Sequence, residues 1–525
     1  MAKGYPPEET QVGTTATDLP PSDMRNAEGG FFGHPKGLST LFFTEMWERF
    51  SFYGIRPLLI LFMTAALVDG GFGFDRKTAS SIVGIYALSV YLASLPGGWV
   101  ADRLLGRRRS IYYGGILIAS GHIAIGLSAF LPMQFFFLGL VLIVMGTGML
   151  KPNISAIVGD LYPEGGARRD AGFSVFYMGI NAGAFIAPLI TGALGEKVGY
   201  HWGFGAAGVG MIIGVIWFKM RETSTLGSLG LAPRLDPDPV KQEAAVRRVK
   251  LSVGIGLAVV ALVVVLAMVG VIHIDAVKLA DQIVKVILAM ALLYFIYLLG
   301  FAGLNTEERK RVLLIIVLFI FATIFWSAFE QAPTSLTLFA RDYTDRNLFG
   351  WEMPATWFQA INSLFVIILA PIFGVLWTSL GRRGKNPSSP TKFAFGLFFA
   401  GLGFLIMIHA ANEVIAGAAK VSMVWLIMSY ILQTFGELSL SPVGLSSMTK
   451  LAPAKFKGQT MGVWFMAAAL GNLIAGIVGG NVDPEKLDQM PKLFMQTTMS
   501  LFISAAVLAL MIIPIRRMMA NTTEQ

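Results

Sequence analysis

The chain has 525 residues, of which 55% are hydrophobic and 14% are charged, whereas an average soluble domain carries roughly 25% charged residues. Together with the absence of cysteine, this composition excludes a soluble globular protein, a disordered chain, a disulfide framework and any site built on thiolates. The net charge is +9, and a basic balance in a membrane protein usually reflects cytoplasmic loops, so we expect a lipid bilayer and no nucleic acid among its partners.

The chain starts with a polar tail, and fourteen apolar segments follow it. Residues 1–37 contain scattered Pro, Gly and Thr but no apolar run, so we expect a disordered cytoplasmic tail and no signal peptide. A membrane-spanning helix needs ~20 mostly apolar residues. The predicted spans, in chain order, are 38–67, 78–101, 110–130, 134–159, 171–194, 200–218, 251–272, 286–304, 312–339, 354–380, 393–411, 421–449, 458–481 and 493–515.

The distribution of Lys and Arg predicts which way the spans run. An even number of spans places both termini on the same side of the membrane. With the N-terminus inside, the inner segments hold 28 Lys and Arg and the outer segments hold 10. Because cytoplasmic loops carry the excess of positive charge, we expect a multi-pass protein of the cell membrane with both termini in the cytoplasm.

A polar stretch and a short internal repeat divide the spans into groups. Leu105-Gly106-Arg107-Arg108 follows the second span, and Leu380-Gly381-Arg382-Arg383 follows the tenth. The two loops are equivalent if the seventh and eighth spans form an insertion between two six-helix bundles. The predicted boundaries are the tail at 1–37, an N-terminal bundle at 38–220, a cytoplasmic linker at 221–250, a two-helix insertion at 251–304 and a C-terminal bundle at 311–517.

Seven charged residues lie inside the predicted spans, and they follow a period of three spans. They are Glu45, Glu48, Arg49, Arg56, Lys151, Glu330 and Glu437. Once the insertion is set aside, they belong to spans one, four, seven and ten of twelve. Secondary transporters are often built from three-helix repeats around a midplane site, so we expect these spans to line one cavity. Structural ion pairing between helices is the alternative interpretation.

Helical geometry places the polar residues of each charged span on one face. At ~100° per residue, the four charges of the first span fall in one sector. The ninth span is expected to present Thr323, Trp326, Glu330, Thr334 and Thr337, and the twelfth Tyr430, Gln433, Glu437 and Ser441. A charge inside the bilayer is costly unless it faces water or a partner, so these faces are predicted to converge on a wet cavity.

The sum of the intramembrane charges predicts what the cavity binds. The N-terminal half carries a net charge of +1, and the C-terminal half carries −2. One bound proton neutralises the total, and a zwitterion finds an anion site on one wall and a cation site on the other. The charges therefore predict a proton-coupled carrier of a zwitterion, and they leave amino acids and peptides open.

The same residues carry a family motif. The run from Glu45 to Gly54, EMWERFSFYG, resembles the ExxERFxYY motif of the proton-dependent oligopeptide transporter (POT) family within the major facilitator superfamily, with Phe52 in place of the first tyrosine. Four further stretches of this sequence are similar to the same family: GMLKPN at 148–153, FSVFYMGIN at 173–181, FWSAFEQ at 325–331 and GELSLSPVG at 436–444. A fifth, GGWVADR at 97–103, resembles the superfamily's loop 2–3 motif. The resemblance implies an all-α integral membrane protein with the major facilitator fold of two six-helix bundles, and a proton-coupled symporter of di- and tripeptides. Two extra helices between the bundles, fourteen spans in total, are typical of bacterial members.

The resemblance also implies roles for individual residues. Arg56 and Lys151 would bind the peptide carboxylate, and Glu437 would bind the α-amino group with help from Asn181 and Asn362. Side-chain pockets would be lined by Tyr53, Tyr91, Trp326 and Trp464, and the expected substrate site further includes Arg49, Glu330 and Ser441. Proton coupling would depend on Glu45, Glu48 and Arg49 with Lys151, and on Glu330 with Arg56. No cofactor is implied, and we expect a functional monomer.

Two other classes of function stay open at this point. Another carrier of the same fold, such as a drug–proton antiporter or an anion porter, would use the spans equally well, but an anion porter has no use for Glu437 as an amine ligand. A membrane enzyme is disfavoured because the sequence has no HExxH, no GxSxG and no phosphate-binding loop, and its five His do not cluster.

Overall fold

The computed structural model describes residues 30–163, 166–233, 238–385, 387–480 and 488–520, and in these it is almost entirely helical. Most of the predicted tail, residues 1–29, lies outside the described residues. The helices of the first half are α1 (Lys36–Thr64), α2 (Arg76–Val100), α3 (Arg107–Leu127), α4 (Gln134–Asp160), α5 (Gly166–Lys197) and α6 (Tyr200–Leu226). They are followed by α7 (Pro239–Met268) and α8 (Ala276–Gly300). The second half contains α9 (Thr306–Phe329), α10 (Thr337–Tyr343), α11 (Phe358–Arg382), α12 (Ser389–Ile415), α13 (Val424–Leu451), α14 (Lys457–Gly479) and α15 (Met490–Ala520).

Thirteen of the fourteen predicted spans each coincide with one helix, the ninth is divided between α9 and α10, and the all-helical fold is confirmed. Twelve helical segments of the described chain are long and apolar enough to cross a membrane. The two long helices outside that set are α1 and α13, which carry five of the seven intramembrane charges. Because such charges are costly in lipid, these helices need protein around them, and 23 of the 29 residues of α1 are buried.

The ninth predicted span is not one continuous helix, so the expected single face from Thr323 to Thr337 is wrong. Helix α9 ends at Phe329, a π-helical segment covers Ala332–Leu336, and α10 then begins. Pro333 lies in the break and has no N–H to continue the helical hydrogen bonds. Glu330 therefore caps the C-terminal end of α9.

The first six helices pack as one bundle through close backbone approaches. Helix α1 packs on α5 and α6, and α4 packs on α2 and α3. A methyl group added at Gly114, Gly121, Gly139 or Gly146 would collide with the backbone of the facing helix in the α3–α4 pair. Small residues allow such approaches in membranes, where packing rather than the hydrophobic effect joins helices.

The second bundle and the insertion complete the architecture. Helix α12 packs on α13 and α15, α9 packs on α14, and the two bundles meet through α2 with α14 and α5 with α11. Helix α8 lies along α2, α14 and α9, whereas α7 is almost wholly exposed. Two short strand pairs, β1 (Thr344–Asp345) with β4 (Val421–Ser422) and β2 (Asn347–Leu348) with β3 (Trp351–Glu352), lie in the loops.

Helix α6 and helix α7 both extend into the predicted linker at 221–250. Helix α6 continues to Leu226, and α7 begins at Pro239, where the Asp238 carboxylate accepts hydrogen bonds from the first free N–H groups. Between them, the structure describes 227–233 and residue 238 as non-helical. The domain boundaries and the cytoplasmic position of this linker stay predictions.

Candidate substrate and proton-coupling site

A cavity lies between the two bundles, where the predicted spans were expected to converge. Its volume is ≈ 140 Å³, which is below the roughly 300–1,000 Å³ of typical small-molecule sites. Eight of the predicted substrate-site residues line it: Tyr53, Arg56, Tyr91, Asn181, Trp326, Glu330, Asn362 and Glu437. The lining also contains polar residues that the sequence analysis did not assign to the substrate site: Tyr177, Gln359, Ser363, Tyr430 and Gln433.

An ion pair between the halves crosses the cavity wall. Arg56 of α1 donates from Nη2 to Oε2 of Glu330 at 2.5 Å, and the same nitrogen lies 3.2 Å from Oδ1 of Asn472. Both partners of this pair, which we call the gate pair, are more than nine-tenths buried. A carboxylate at the C-terminal end of a helix opposes the helix dipole, so Glu330 depends on Arg56 for its stabilisation.

The second carboxylate of the cavity is held by an amide and not by a cation. Asn362 of α11 donates from Nδ2 to Glu437 of α13 at 2.9 Å and lies 3.0 Å from the hydroxyl of Thr434. Among the described residues Glu437 has no ion pair, and it is only partly buried. A charged amine entering the cavity therefore finds a carboxylate whose orientation is already fixed.

A third group of charges lies within a single helix. Arg49 pairs through Nε with Glu45 at 3.0 Å and with the adjacent carboxylate of Glu48, and none of the three is more than 2% exposed. We call these residues the coupling cluster. Glu45 precedes Glu48 by three positions and Arg49 by four on α1, so one helical turn brings the acid to both of them and the arrangement of the bundles does not matter.

Lys151 lies apart from the coupling cluster. Its ammonium sits 4.7 Å from the ring centre of Tyr91, and among the described residues it has no ion pair with Glu45 or Glu48. Both acids keep carboxylate oxygens without a hydrogen-bond partner in the described chain. The structure thus brings three of the predicted coupling residues together and leaves Lys151 as a cation near them.

Phe52, the departure from the family motif, lies between the two arginines of α1. The guanidinium carbons of Arg49 and Arg56 are each 5.3 Å from the centre of its ring. The distance suits cation–π attraction, which aromatic rings without a hydroxyl also provide. The absence of the tyrosine hydroxyl therefore does not remove the ring contact that links Arg49 of the coupling cluster to Arg56 of the gate pair.

The four remaining predicted substrate-site residues, Lys151 among them, fall outside the cavity lining. Trp464 is 5% exposed and packs against Phe393, with a ring separation of 6.3 Å. Arg49 belongs to the coupling cluster, and Ser441 lies on α13 beyond the lining residues. Two of the lining residues that the sequence analysis did not assign could have been found from helical spacing. Tyr177 precedes Asn181 by four positions and Gln359 precedes Asn362 by three, so each pair shares a helix face.

Polar contacts between the halves gather at the end of the bundle where α1 and α5 finish, which we call the closed end. Arg76 pairs with Asp342 at 2.6 Å, and Arg341 donates to the hydroxyl of Thr64 at 3.0 Å. Glu196, in the last turn of α5, accepts hydrogen bonds from the N–H groups of Ala355 and Thr356 at 2.8 and 2.9 Å. The carboxylate thus caps the 3₁₀ turn that precedes α11.

One further contact completes this α5–α11 junction. The indole N–H of Trp357 donates to the carbonyl oxygen of Leu189 at 3.1 Å. Both helices of the junction line the cavity, α5 with Asn181 and α11 with Asn362. No sequence motif pointed to this junction, because the loop before α11 has no regular spacing relative to α5.

Comparisons with known proteins agree with this geometry. The model of the POT family matches residues 108–493. The chain is 52% identical to the peptide transporter YePEPT of Yersinia enterocolitica over 506 residues, 95% of this chain and 98% of that protein. It is 37% identical to a di-/tripeptide transporter of Lactococcus lactis subsp. cremoris, with 86% and 90% covered.

Solved structures lead to the same family. A crystal structure of a POT peptide transporter in complex with sulfate superimposes with a TM-score of 0.85 at 39% identity. The superposition covers 96% of this chain and 98% of that one. The chain is therefore a member of the POT family, a secondary transporter and not an enzyme.

Proposed function

We propose that this chain is a proton-coupled symporter that imports di- and tripeptides by alternating access. The proposal depends on one observation: the same cavity contains a cation and a separate acid. Arg56 forms an ion pair with Glu330 of the other half, whereas Glu437 has no cation partner among the described residues. The names of its relatives, a peptide transporter and a di-/tripeptide transporter, support the substrate class.

The cavity provides complementary partners for the two ends of a peptide. The guanidinium of Arg56 is a planar fork suited to the carboxylate, and Lys151 is the second cation of that half. Glu437, oriented by Asn362, and the amide of Asn181 suit the α-amino group. Tyr53, Tyr91 and Trp326 form the walls around the side chains.

The proton acts on the gate pair in this proposal. A buried ion pair is costly to break, about 3–5 kcal/mol when one charge is left alone. Protonation of Glu330 removes its charge, so the closed end loosens and Arg56 becomes available to a peptide carboxylate. The coupling cluster, with Lys151 beside it, supplies a second set of carboxylates that exchange protons within the N-terminal half.

The positive-inside orientation makes the closed end the external one. Tyr177 lines the cavity, is 45% exposed, and lies about 28 Å of helix from Glu196 at the closed end. The cavity then faces the cytoplasm, which is the state that releases peptide after import. We also propose the cell membrane as the location, and a monomer without a cofactor as the working unit, because one chain provides every wall of the cavity.

Uptake of a labelled dipeptide into proteoliposomes tests the proposal. With an acid exterior, purified protein is expected to accumulate the dipeptide, and a protonophore should abolish accumulation while leaving exchange. A free amino acid and an N-acetylated dipeptide serve as competitors, and both should compete weakly. Equal accumulation without a proton gradient would contradict proton coupling, and equal competition by the acetylated peptide would contradict the zwitterion site.

A further inference from the structure

Five Lys or Arg side chains in the described parts of the chain are more than nine-tenths buried, and four of them have carboxylate partners. These four are Arg49 with Glu45, Arg56 with Glu330, Arg108 with Glu222 and Arg346 with Glu352. The fifth is Lys392, which is 8% exposed and has no ion pair with a described residue. Burying a cation without an anion is unfavourable, so Lys392 calls for an explanation.

Among the described residues, Lys392 has a cation and an aromatic ring beside it and forms no ion pair with an acid. Its ammonium lies 4.5 Å from the ring centre of Trp377 on α11, and Lys450 on α13 is near enough to repel it. No Asp or Glu occurs at 353–412 or 438–482, the stretches that form most of α11–α14. Arg382, Arg383 and Lys385 add three more positive charges where α11 ends.

Lys392 also lies where a helix start adds to the positive potential. It is in the first turn of α12, which begins at Ser389, and among the described residues no side chain accepts a hydrogen bond from the N–H groups of Ser389 and Thr391, whereas Pro390 has no N–H. The positive end of the helix dipole and these N–H groups favour an anion at this point. The cation, the ring and the helix start therefore lie together at one basic site, where the start of α12 meets α11.

We propose that this basic site binds a phosphate group, that of an anionic phospholipid in the cytoplasmic leaflet. Phosphate oxygens match both the ammonium of Lys392 and the N–H groups of α12. The basic site lies at the end of the bundle opposite the closed end, and Trp377 is the residue type that favours the membrane interface. Basic pockets between membrane helices bind lipid headgroups in this way.

Thermal unfolding of the purified, full-length protein in detergent tests the site. Phosphatidylglycerol is expected to raise the midpoint by several degrees, and phosphatidylcholine and inorganic phosphate should raise it less. The Lys392→Gln variant should lose most of the phosphatidylglycerol shift. The Lys241→Gln variant, which removes an exposed lysine at the start of α7, should keep it and controls for the change in net charge.

A second variant separates ligand binding from a packing role. Lys392→Met keeps an unbranched side chain that packs on Trp377 but removes the charge. Without lipid, the thermal midpoint of this variant should therefore equal or exceed that of the wild type. If inorganic phosphate reproduces the shift and Lys392→Gln removes it, the phosphate site stands and its source is soluble. Equal shifts in wild type and Lys392→Gln, or a lower midpoint of Lys392→Met with and without lipid alike, would overturn the proposal.

Discussion

Two groups of buried charges on α1 differ in what holds them together. The coupling cluster of Glu45, Glu48 and Arg49 lies within one helix, so its contacts are independent of how the two bundles are arranged. The gate pair joins Arg56 to Glu330 on the other bundle, so it exists only while the closed end is closed. The coupling cluster can therefore stay paired through the whole transport cycle, whereas the gate pair can form and break with the cycle and so control it.

Removal of Arg49 should have the largest effect, because it strands two buried acids. Breaking a buried pair costs about 3–5 kcal/mol, so Arg49→Gln is expected to lower the thermal midpoint and abolish uptake. The control is Arg76→Gln, which removes a less buried arginine that pairs across the halves. If the two variants have the same midpoint in detergent, the coupling cluster is not a permanent structural unit.

Glu437→Gln should weaken binding of peptides with a free amino terminus by about tenfold or more, since hydrogen bonds to charged groups contribute about 1.5–3 kcal/mol. N-acetylated peptides should lose little, because they have no charged amine. Competition against a labelled dipeptide measures both. Glu413, a half-buried acid outside the cavity lining, provides the control variant Glu413→Gln, and parallel losses for the two ligand classes would show that Glu437 has another role.

Glu196→Gln should loosen the closed end without touching the gate pair. A neutral amide accepts weaker hydrogen bonds than a carboxylate from Ala355 and Thr356, so the open population should rise a few-fold. The chain has no cysteine, and the exposed residues Val198, after the end of α5, and Leu348, in β2 of the other half, provide positions for a cysteine pair. Spin labels at Val198→Cys and Leu348→Cys should show more long distances in the Glu196→Gln background.

The same cysteine pair in a Glu413→Gln background is the control for that experiment. Unchanged distances in both backgrounds would mean that the α5–α11 junction contributes nothing to closure. The gate pair and the Arg76–Asp342 pair would then account for the closed end.

Substitutions at Phe52 should have the smallest effects and should differ from each other. Phe52→Tyr keeps a ring between Arg49 and Arg56, so transport is expected to stay near the wild-type level. Phe52→Leu loses cation–π contacts of about 0.5–2 kcal/mol, and uptake should fall several-fold. Initial rates of dipeptide uptake compare the two, and equal losses would show that ring contact with the arginines is unimportant.

Local spacing explains why much of the site was predictable. Glu45, Glu48, Arg49 and Arg56 share a helix, and helical periodicity alone places them on one face. The period of three charged spans led to the cavity, where Arg56, Glu330 and Glu437 do meet.

Contacts between distant segments were less accessible. The break after Phe329 depends on how the ninth span packs, and the contacts of Glu196 with Ala355 and Thr356 join residues about 160 positions apart. Lys392 was counted only as one of many cytoplasmic cations, because hydropathy cannot show that a lysine is buried without a carboxylate.

The measurement that tests the gate pair most directly compares two assays on Glu330→Gln. The neutral amide mimics a permanently protonated acid, so peptide counterflow should continue at a rate near that of the wild type, whereas uptake driven by a pH gradient should be lost. Asp342→Asn, which removes the acid of another ion pair between the halves, should retain pH-driven uptake. If counterflow and pH-driven uptake fall in parallel in Glu330→Gln, the pair between Arg56 and Glu330 is structural or substrate-binding and does not couple the proton to the gate.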